Sequence, residues 1–193
     1  MRKMLESRTA IITGGGRGIG LAIAKSLSEA GANVVISDTG VTIDGADPDS
    51  SVASMAASQV RGPAISFTES VSTPQGAKSL VESAIDSFGQ IDIIINNAAI
   101  LRDSFIFKGV PSDWDRVVAT NLSGPYYLLA AATPFLREQS KAKANYTSGR
   151  IVNITSTAGF YGNYGQTAYA SAKAGLFGLT RAVALDMARS RIT

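Results

Sequence analysis

The chain has 193 residues with a net charge of +3, 45% hydrophobic and 17% charged residues, enough for one domain with a substantial core and far from a disordered composition. It has no cysteine and no histidine, which removes thiolate catalysis, serine–histidine triads, disulfides and zinc sites built on those ligands. No apolar run approaches the ~20 residues of a membrane span, and Met1 to Thr9 has no apolar signal core, so the expectation is a cytoplasmic protein without a membrane partner.

Thr9 to Thr13 reads as a short buried strand. It runs into Gly14-Gly-Gly-Arg17-Gly18-Ile19-Gly20, followed by an amphipathic run from Leu21 to Ala30. Strand, glycine turn and helix in succession suit a phosphate-binding turn, with an anion at the helix N-terminus. Gly14 would let the chain turn sharply, and Gly18 and Gly20 would let a pyrophosphate approach the backbone. The spacing is Thr-Gly-x-x-x-Gly-x-Gly rather than the usual Gly-x-Gly-x-x-Gly.

Asn33 to Ser37 reads as a second strand with Asp38 at its carboxyl end. An acid about 20 residues past the glycine turn can accept from both ribose hydroxyls of an adenosine. A carboxylate there would repel a 2′-phosphate, which favours NAD over NADP. Arg17 argues the other way, because a basic residue in the turn can hold that phosphate; Asp38 weighs more.

Thr39 to Ser51, rich in Gly, Asp and Ser, reads as a surface insertion and a candidate for mobility. Helices are expected over Val52 to Val60 and Thr73 to Phe88, the latter capped by Ser72 or Thr73 and ended by Gly89, with a strand over Ala64 to Phe67 between them. Ile91 to Ile95 is continuously apolar, as a central parallel strand should be, and ends in Asn96-Asn97-Ala98-Ala99. Pro111 to Leu136 reads as one long helix with Ser112 as its cap, kinked near Asn121 to Ser123 by Pro125. The densest basic group, Arg137, Lys141, Lys143 and Arg150, has no interleaved aromatics and reads as a solvated loop, not a nucleic-acid surface. Arg150 to Thr155 is a fifth strand, Gly159 to Gln166 a loop, and Ala168 to about Arg189 a helix. Strands alternating with helices imply an α/β fold, a doubly wound parallel sheet in a single domain over residues 1–193.

Tyr169 and Lys173 are four residues apart in the last helix, on one face. Free tyrosine titrates near pH ~10, about three units above what a base needs at neutral pH, a gap of roughly 4 kcal/mol. A neighbouring cation can supply roughly one to three of those units. Such a pair also arises by chance in helices.

Thr13 to Gly20, Asn96 to Ala99, Asn121, Ser156 and Tyr169-Ala-Ser-Ala-Lys173, in this order, resemble the short-chain dehydrogenase/reductase family. Ser156 lies thirteen residues before Tyr169, a separation typical of that family. The resemblance implies a Rossmann-type fold. It implies a catalytic set in which Tyr169 is the acid/base, Lys173 lowers its pKa and holds the nicotinamide ribose, Ser156 binds the substrate oxygen, and Asn121 ties Lys173 to a water chain. It implies cofactor contacts from Gly14, Gly16, Arg17, Gly18, Ile19, Asp38, Ser70, Val71, Asn97, Ala98, Tyr169 and Lys173, with NAD favoured and no metal. Small-molecule alcohol or ketone substrates and a homodimer or homotetramer are implied with it. Apolar residues around the Asn121 and Tyr169 helices (Leu122, Tyr126, Leu129, Leu176, Leu179, Val183, Leu185) support self-association.

Asp38-Thr-Gly, Glu69-Ser70-Val71, Ile100 to Asp103 and Tyr161 to Gln166 are similar to the (3R)-hydroxyacyl-CoA dehydrogenase domains of peroxisomal multifunctional enzymes and their bacterial relatives. This adds an acyl-CoA substrate as an expectation. Ala99 stands where the family usually has Gly, and Glu69-Ser70 replaces the usual Asp before Val71, which puts the adenine contact in doubt. The family fold continues with a sixth strand, a substrate-covering loop and a seventh strand, whereas the sequence stops at Thr193, so these last strands are expected to be lacking. The alternative is therefore a truncated, inactive nucleotide-binding Rossmann module. A sugar epimerase of the extended branch fits the Asn96 to Ala99 segment and the glycine spacing less well.

Overall fold

A computed structural model of the chain describes residues 3–142 and 149–193. Among the described residues, the strands β1 (Thr9–Thr13), β2 (Asn33–Ser37), β3 (Ala64–Phe67), β4 (Ile93–Asn96) and β5 (Arg150–Asn153) form one all-parallel sheet in the order β3-β2-β1-β4-β5. This is the expected doubly wound arrangement. Every residue of β1 is buried, and alternate side chains serve opposite helical layers. Ala10 and Ile12 pack under α1 (Gly18–Glu29) and α2 (Ser51–Ser58), with Ala24, Ala53 and Ala56. Ile11 packs on the other face with Leu80, Leu128 and Leu136, from α3 (Pro74–Phe88) and α5 (Gly124–Ala142).

Several boundaries move for identifiable reasons. Helix α1 begins at Gly18, three residues before the expected Leu21, so its first turn lies inside the glycine motif. Thr73 caps α3, accepting from the Gly76 amide at 3.1 Å, and Gly89 closes it in the left-handed region. Strand β4 covers Ile93–Asn96 rather than Ile91 to Ile95, because the Asp92 amide has turned to the Thr9 carbonyl below the ladder. Strand β5 ends at Asn153, short of Thr155.

The long helix is divided into α4 (Pro111–Val118), a π-helical turn (Ala119–Ser123) and α5. Pro125 has no N–H to donate to Asn121, and the Gly124 amide reaches the Ala119 carbonyl instead. The irregularity falls where the proline predicts it. Ser112 is not the cap of α4: Pro111 takes the first helical position and Val110 precedes it without a side-chain cap. The expected loop over Gly159 to Gln166 begins instead as the short helix α6 (Ala158–Tyr161), and α7 (Thr167–Met187) follows. The insertion expected to be mobile is tied down, because Ile43 and Gly45 carbonyls accept from the Leu101 amide (2.8 Å) and Arg116 Nη2 (2.9 Å).

Of the basic group, Arg137, Lys141 and Arg150 are exposed, while Lys143 lies outside the described residues. Among the described residues no helix is long and apolar enough to cross a membrane.

Candidate active site

The sheet order changes direction between β1 and β4, and ligands of open α/β sheets bind in the crevice at such a switch point. Here that crevice is braced from within. Thr13 Oγ1 accepts from the Asn97 and Ala98 amides at 3.1 Å each. Asn97 Nδ2 donates to the carbonyls of Thr13 (3.0 Å) and Gly14 (2.9 Å). The Asn97 amide is thus spent on holding the glycine turn against β4.

The glycines of the turn have separate physical duties. A Cβ on Gly20 would stand 2.0 Å from the Gly14 carbonyl oxygen and 2.6 Å from Asn97 Nδ2. Gly20 therefore serves the packing of α1 on the turn, not the approach of a cofactor. Gly16 is buried, and its amide donates to Asp38 Oδ2 at 2.8 Å. Gly18 differs: its φ is +50° and nothing lies within 4 Å of where its Cβ would be. Helix α1 has no side-chain cap and no acidic residue in its first turn, so its positive end is free for an anion.

Asp38 is anchored on both oxygens, Oδ2 by Gly16 and Oδ1 by the Gly40 amide at 2.8 Å. The Arg17 guanidinium donates to the carbonyls of Gly40 (3.3 Å) and Val41 (3.2 Å) and so holds the insertion.

One cleft of about 440 Å³ runs over these groups to the last helix. Of the residues expected at a cofactor, Gly14, Arg17, Gly18, Ile19, Asp38, Ser70, Val71, Asn97, Ala98, Tyr169 and Lys173 all line it. Gly16, Ser156 and Asn121 do not. Gly16 stands behind the wall. Ser156 follows the lining residues Ile154 and Thr155, and its Oγ accepts from the Ala158 amide at 3.2 Å, starting α6. Asn121 is wholly buried; its side chain accepts from the Ile100 amide and donates to the Ile100 carbonyl, each at 2.9 Å. The Asn121 side chain therefore clamps the segment after β4.

Sequence reasoning missed Val41, Thr42 and Ile43 as cleft walls, together with Thr120 and Ile154. Those of the insertion carry no motif, and only the hydrogen bonds that fold the insertion back bring them there.

Lys173 is 2% exposed, and its ammonium donates to the Ile154 carbonyl at 2.7 Å. It lies 5.7 Å from the centroid of the Tyr169 ring. Burial lowers its pKa from 10.5 to about 8, because taking an ammonium out of water disfavours the charged form. The arrangement places a cation beside a half-buried phenol at one end of a cleft whose other end is a glycine turn and an anchored carboxylate.

A family model described as short chain dehydrogenase matches residues 8–193. A short-chain type dehydrogenase/reductase of Mycobacterium tuberculosis is 39% identical over 191 residues, covering 97% of this chain and 64% of that protein. A peroxisomal multifunctional enzyme type 2 of Drosophila melanogaster is 38% identical over 190 residues, 97% of this chain and 30% of that protein, which bears out the closer resemblance. The crystal structure of a short chain dehydrogenase from Mycobacterium avium superposes with a TM-score of 0.86 at 36% identity, covering 98% of this chain and 66% of that one. The chain thus spans under two thirds of both curated relatives.

Proposed function

This chain belongs to the short chain dehydrogenase family, and on that premise we propose that it is a nicotinamide-dependent oxidoreductase interconverting secondary alcohols and ketones. The observation that carries the reading is that Tyr169 and Lys173 line the same cleft as the Gly14 to Ile19 turn and Asp38. The uncapped start of α1, the open space at Gly18 and the anchored Asp38 carboxylate fit a dinucleotide. Gly14, Gly18 and Ile19 would hold its pyrophosphate, Asp38 its adenosine ribose, and Lys173 its nicotinamide ribose. Such a cofactor, when bound, supplies the hydride acceptor or donor.

The chain's own residues handle the proton and the orientation. Tyr169 takes the hydroxyl proton of the alcohol as a ketone forms, or returns it to the carbonyl oxygen in the reverse direction. Lys173, held by the Ile154 carbonyl, keeps a cation beside the Tyr169 ring. Ser156 donates a hydrogen bond to the substrate oxygen. Asn121 keeps Ile100, a wall of the cleft, in place.

NAD is the preferred cofactor in this reading. The Asp38 carboxylate opposes a 2′-phosphate, and Arg17 is engaged with the insertion's carbonyls. The substrate has an apolar portion, since Phe105 to Phe107 and Phe160 to Tyr164 expose apolar side chains; a 3-hydroxyacyl-CoA thioester fits, by resemblance to the peroxisomal enzymes. Self-association belongs to the reading, with a narrower basis than the helix circumference suggested. Leu129 and Leu176 are core, and Leu179 and Val183 pack on it, whereas Tyr126 and Leu185 are exposed. A cytoplasmic location completes the proposal, to be checked by fractionation.

The test is to incubate the purified protein with NAD or NADP and a panel of secondary alcohols and 3-hydroxyacyl-CoA thioesters, following reduced nicotinamide. Turnover with NAD supports the proposal. Tight NADH binding without turnover on any member would favour an inactive nucleotide-binding module.

A further inference from the structure

Two segments meet at the start of the Tyr169 helix: Leu101 to Lys108, which follows β4, and Gly162 to Gln166, which leads into α7. Both expose large apolar side chains, including Ile106 and Phe107 on the first and Tyr164 on the second. They come from distant parts of the chain and are joined at one place. The Ser104 amide donates to the Gly165 carbonyl at 2.7 Å, and Ser104 pairs with Gln166 as an isolated parallel bridge. Gln166 Nε2 then donates to Asp103 Oδ2 at 3.0 Å, while its Oε1 accepts from Asn163 Nδ2 at 3.1 Å.

Gln166 occupies the cap position of α7 but makes no capping hydrogen bond to that helix. Glutamine is a weak capping residue, and a Ser, Thr, Asp or Asn would have served the helix better. Its amide faces across the loop instead, with both ends engaged. The first segment is held at its other end too, where the Leu101 amide donates to the Ile43 carbonyl at 2.8 Å. Leu101 to Ser104 is therefore a strap running from the cofactor side of the cleft to the start of the Tyr169 helix.

We propose that Gln166 is a positioning residue: its hydrogen bond to Asp103 holds the apolar wall carried by Phe105, Ile106 and Phe107 against the start of the Tyr169 helix, where Ile106 lines a cleft with Thr167 and Ala168, and so governs how tightly the apolar part of a substrate is held. The proposal rests on the oxidoreductase reading. Gln166 acts through the wall and touches neither the reacting atoms nor the cofactor cleft. A loosened wall weakens substrate binding without altering the proton-handling groups, which separates KM from kcat.

The test uses Gln166→Ala, Asp103→Leu and Asp103→Asn. The last keeps an acceptor oxygen for the Gln166 amide. With 2-octanol and NAD, the first two should raise KM about five- to tenfold with kcat within about twofold, and Asp103→Asn should behave as the parent. The Kd for NADH should be unchanged in all three. Amide hydrogen exchange provides a readout independent of turnover: the Ser104 amide should exchange at least about tenfold faster in Gln166→Ala and Asp103→Leu, because opening of that bridge becomes easier. Unchanged exchange at Ser104 would overturn the proposal. So would Asp103→Asn as impaired as Asp103→Leu, or a fall in kcat at constant KM. Should the parent protein fail to oxidise 2-octanol, the oxidoreductase reading fails for that substrate, and the exchange measurement alone decides for or against the clamp.

Discussion

The Lys173 ammonium donates to the carbonyl of Ile154 at 2.7 Å, in a site where the lysine is 2% exposed and, among the described residues, pairs with no carboxylate. One neutral acceptor offsets only part of the cost of taking an ammonium out of water. That uncompensated charge is what brings its pKa down to about 8, and it makes Lys173 a residue kept at the expense of stability.

The sign of the pH effect follows. Below the lowered value the lysine is protonated folded and unfolded alike, and the folded state bears the full desolvation cost. Between about 8 and 10.5 the unfolded chain binds a proton that the folded chain has released, so stability rises with pH. The lowering corresponds to about 3 kcal/mol, against about 1 kcal/mol for the hydrogen bond to Ile154. Lys173→Met should be at least as stable as the parent near pH ~7 and should lose that advantage toward pH ~10. Denaturant unfolding of both proteins across this range measures it, and turnover should be absent from the variant throughout.

Tyr169→Phe removes the one proton-transferring group of the proposed reaction while leaving the ring packed beside Ala172 and Ile100. Turnover should fall by about 10²- to 10⁴-fold, the usual contribution of a positioned acid/base. NADH affinity, measured by fluorescence titration, should change by no more than about threefold, roughly 0.7 kcal/mol and less than one typical hydrogen bond. A variant retaining a tenth of the activity would remove Tyr169 from its role.

Asp38→Ala deletes a carboxylate that would otherwise stand against a 2′-phosphate. The ratio of kcat/KM for NAD to that for NADP should shift toward NADP by about tenfold or more, a change of ~1.4 kcal/mol. The same substitution strips the Gly16 and Gly40 amides of their acceptor, so absolute efficiency with either cofactor should drop and the melting temperature should fall with it.

Two glycines of one motif should respond in opposite ways to alanine. Gly20→Ala forces a methyl to 2.0 Å from the Gly14 carbonyl oxygen, and backbone must move, so severe destabilisation or loss of soluble protein is expected. Gly18→Ala meets nothing within 4 Å and carries only the strain of φ +50°, about 1 kcal/mol. It should fold, and its defect should appear as weaker NADH binding. Thermal melts and titrations on the pair distinguish packing from ligand approach.

Much of this site is legible in the amino-acid order because its parts are short and local. Thr9 to Thr13, Asn33 to Ser37 and Ala64 to Phe67 are largely apolar runs bounded by turn residues, and their strands have those limits. Tyr169 and Lys173 lie one helical turn apart, so a helix alone brings them together. Pro125 marks the break in the long helix, since a missing N–H acts wherever it stands. The start of α1 inside the glycines and the short helix α6 were less legible. Glycine signals a turn in sequence even where, as at Gly20, the chain is already helical.

The alternation of strand and helix, the glycine turn after β1, the acid at the end of β2 and the Tyr169–Lys173 pair are all readable from the order of residues alone. Each depends on hydrophobic periodicity or on the stereochemistry of a few neighbouring residues. The long-range partners emerge from the fold alone: Asn97 braces the turn, Asn121 clamps Ile100, Arg17 holds the insertion, and Gln166 ties Asp103 to the start of α7. These side chains carry hydrogen-bonding groups with several eligible partners. Which partner each one takes is set by which distant segments the sheet brings within about 3 Å, and a linear order of residues does not contain that distance.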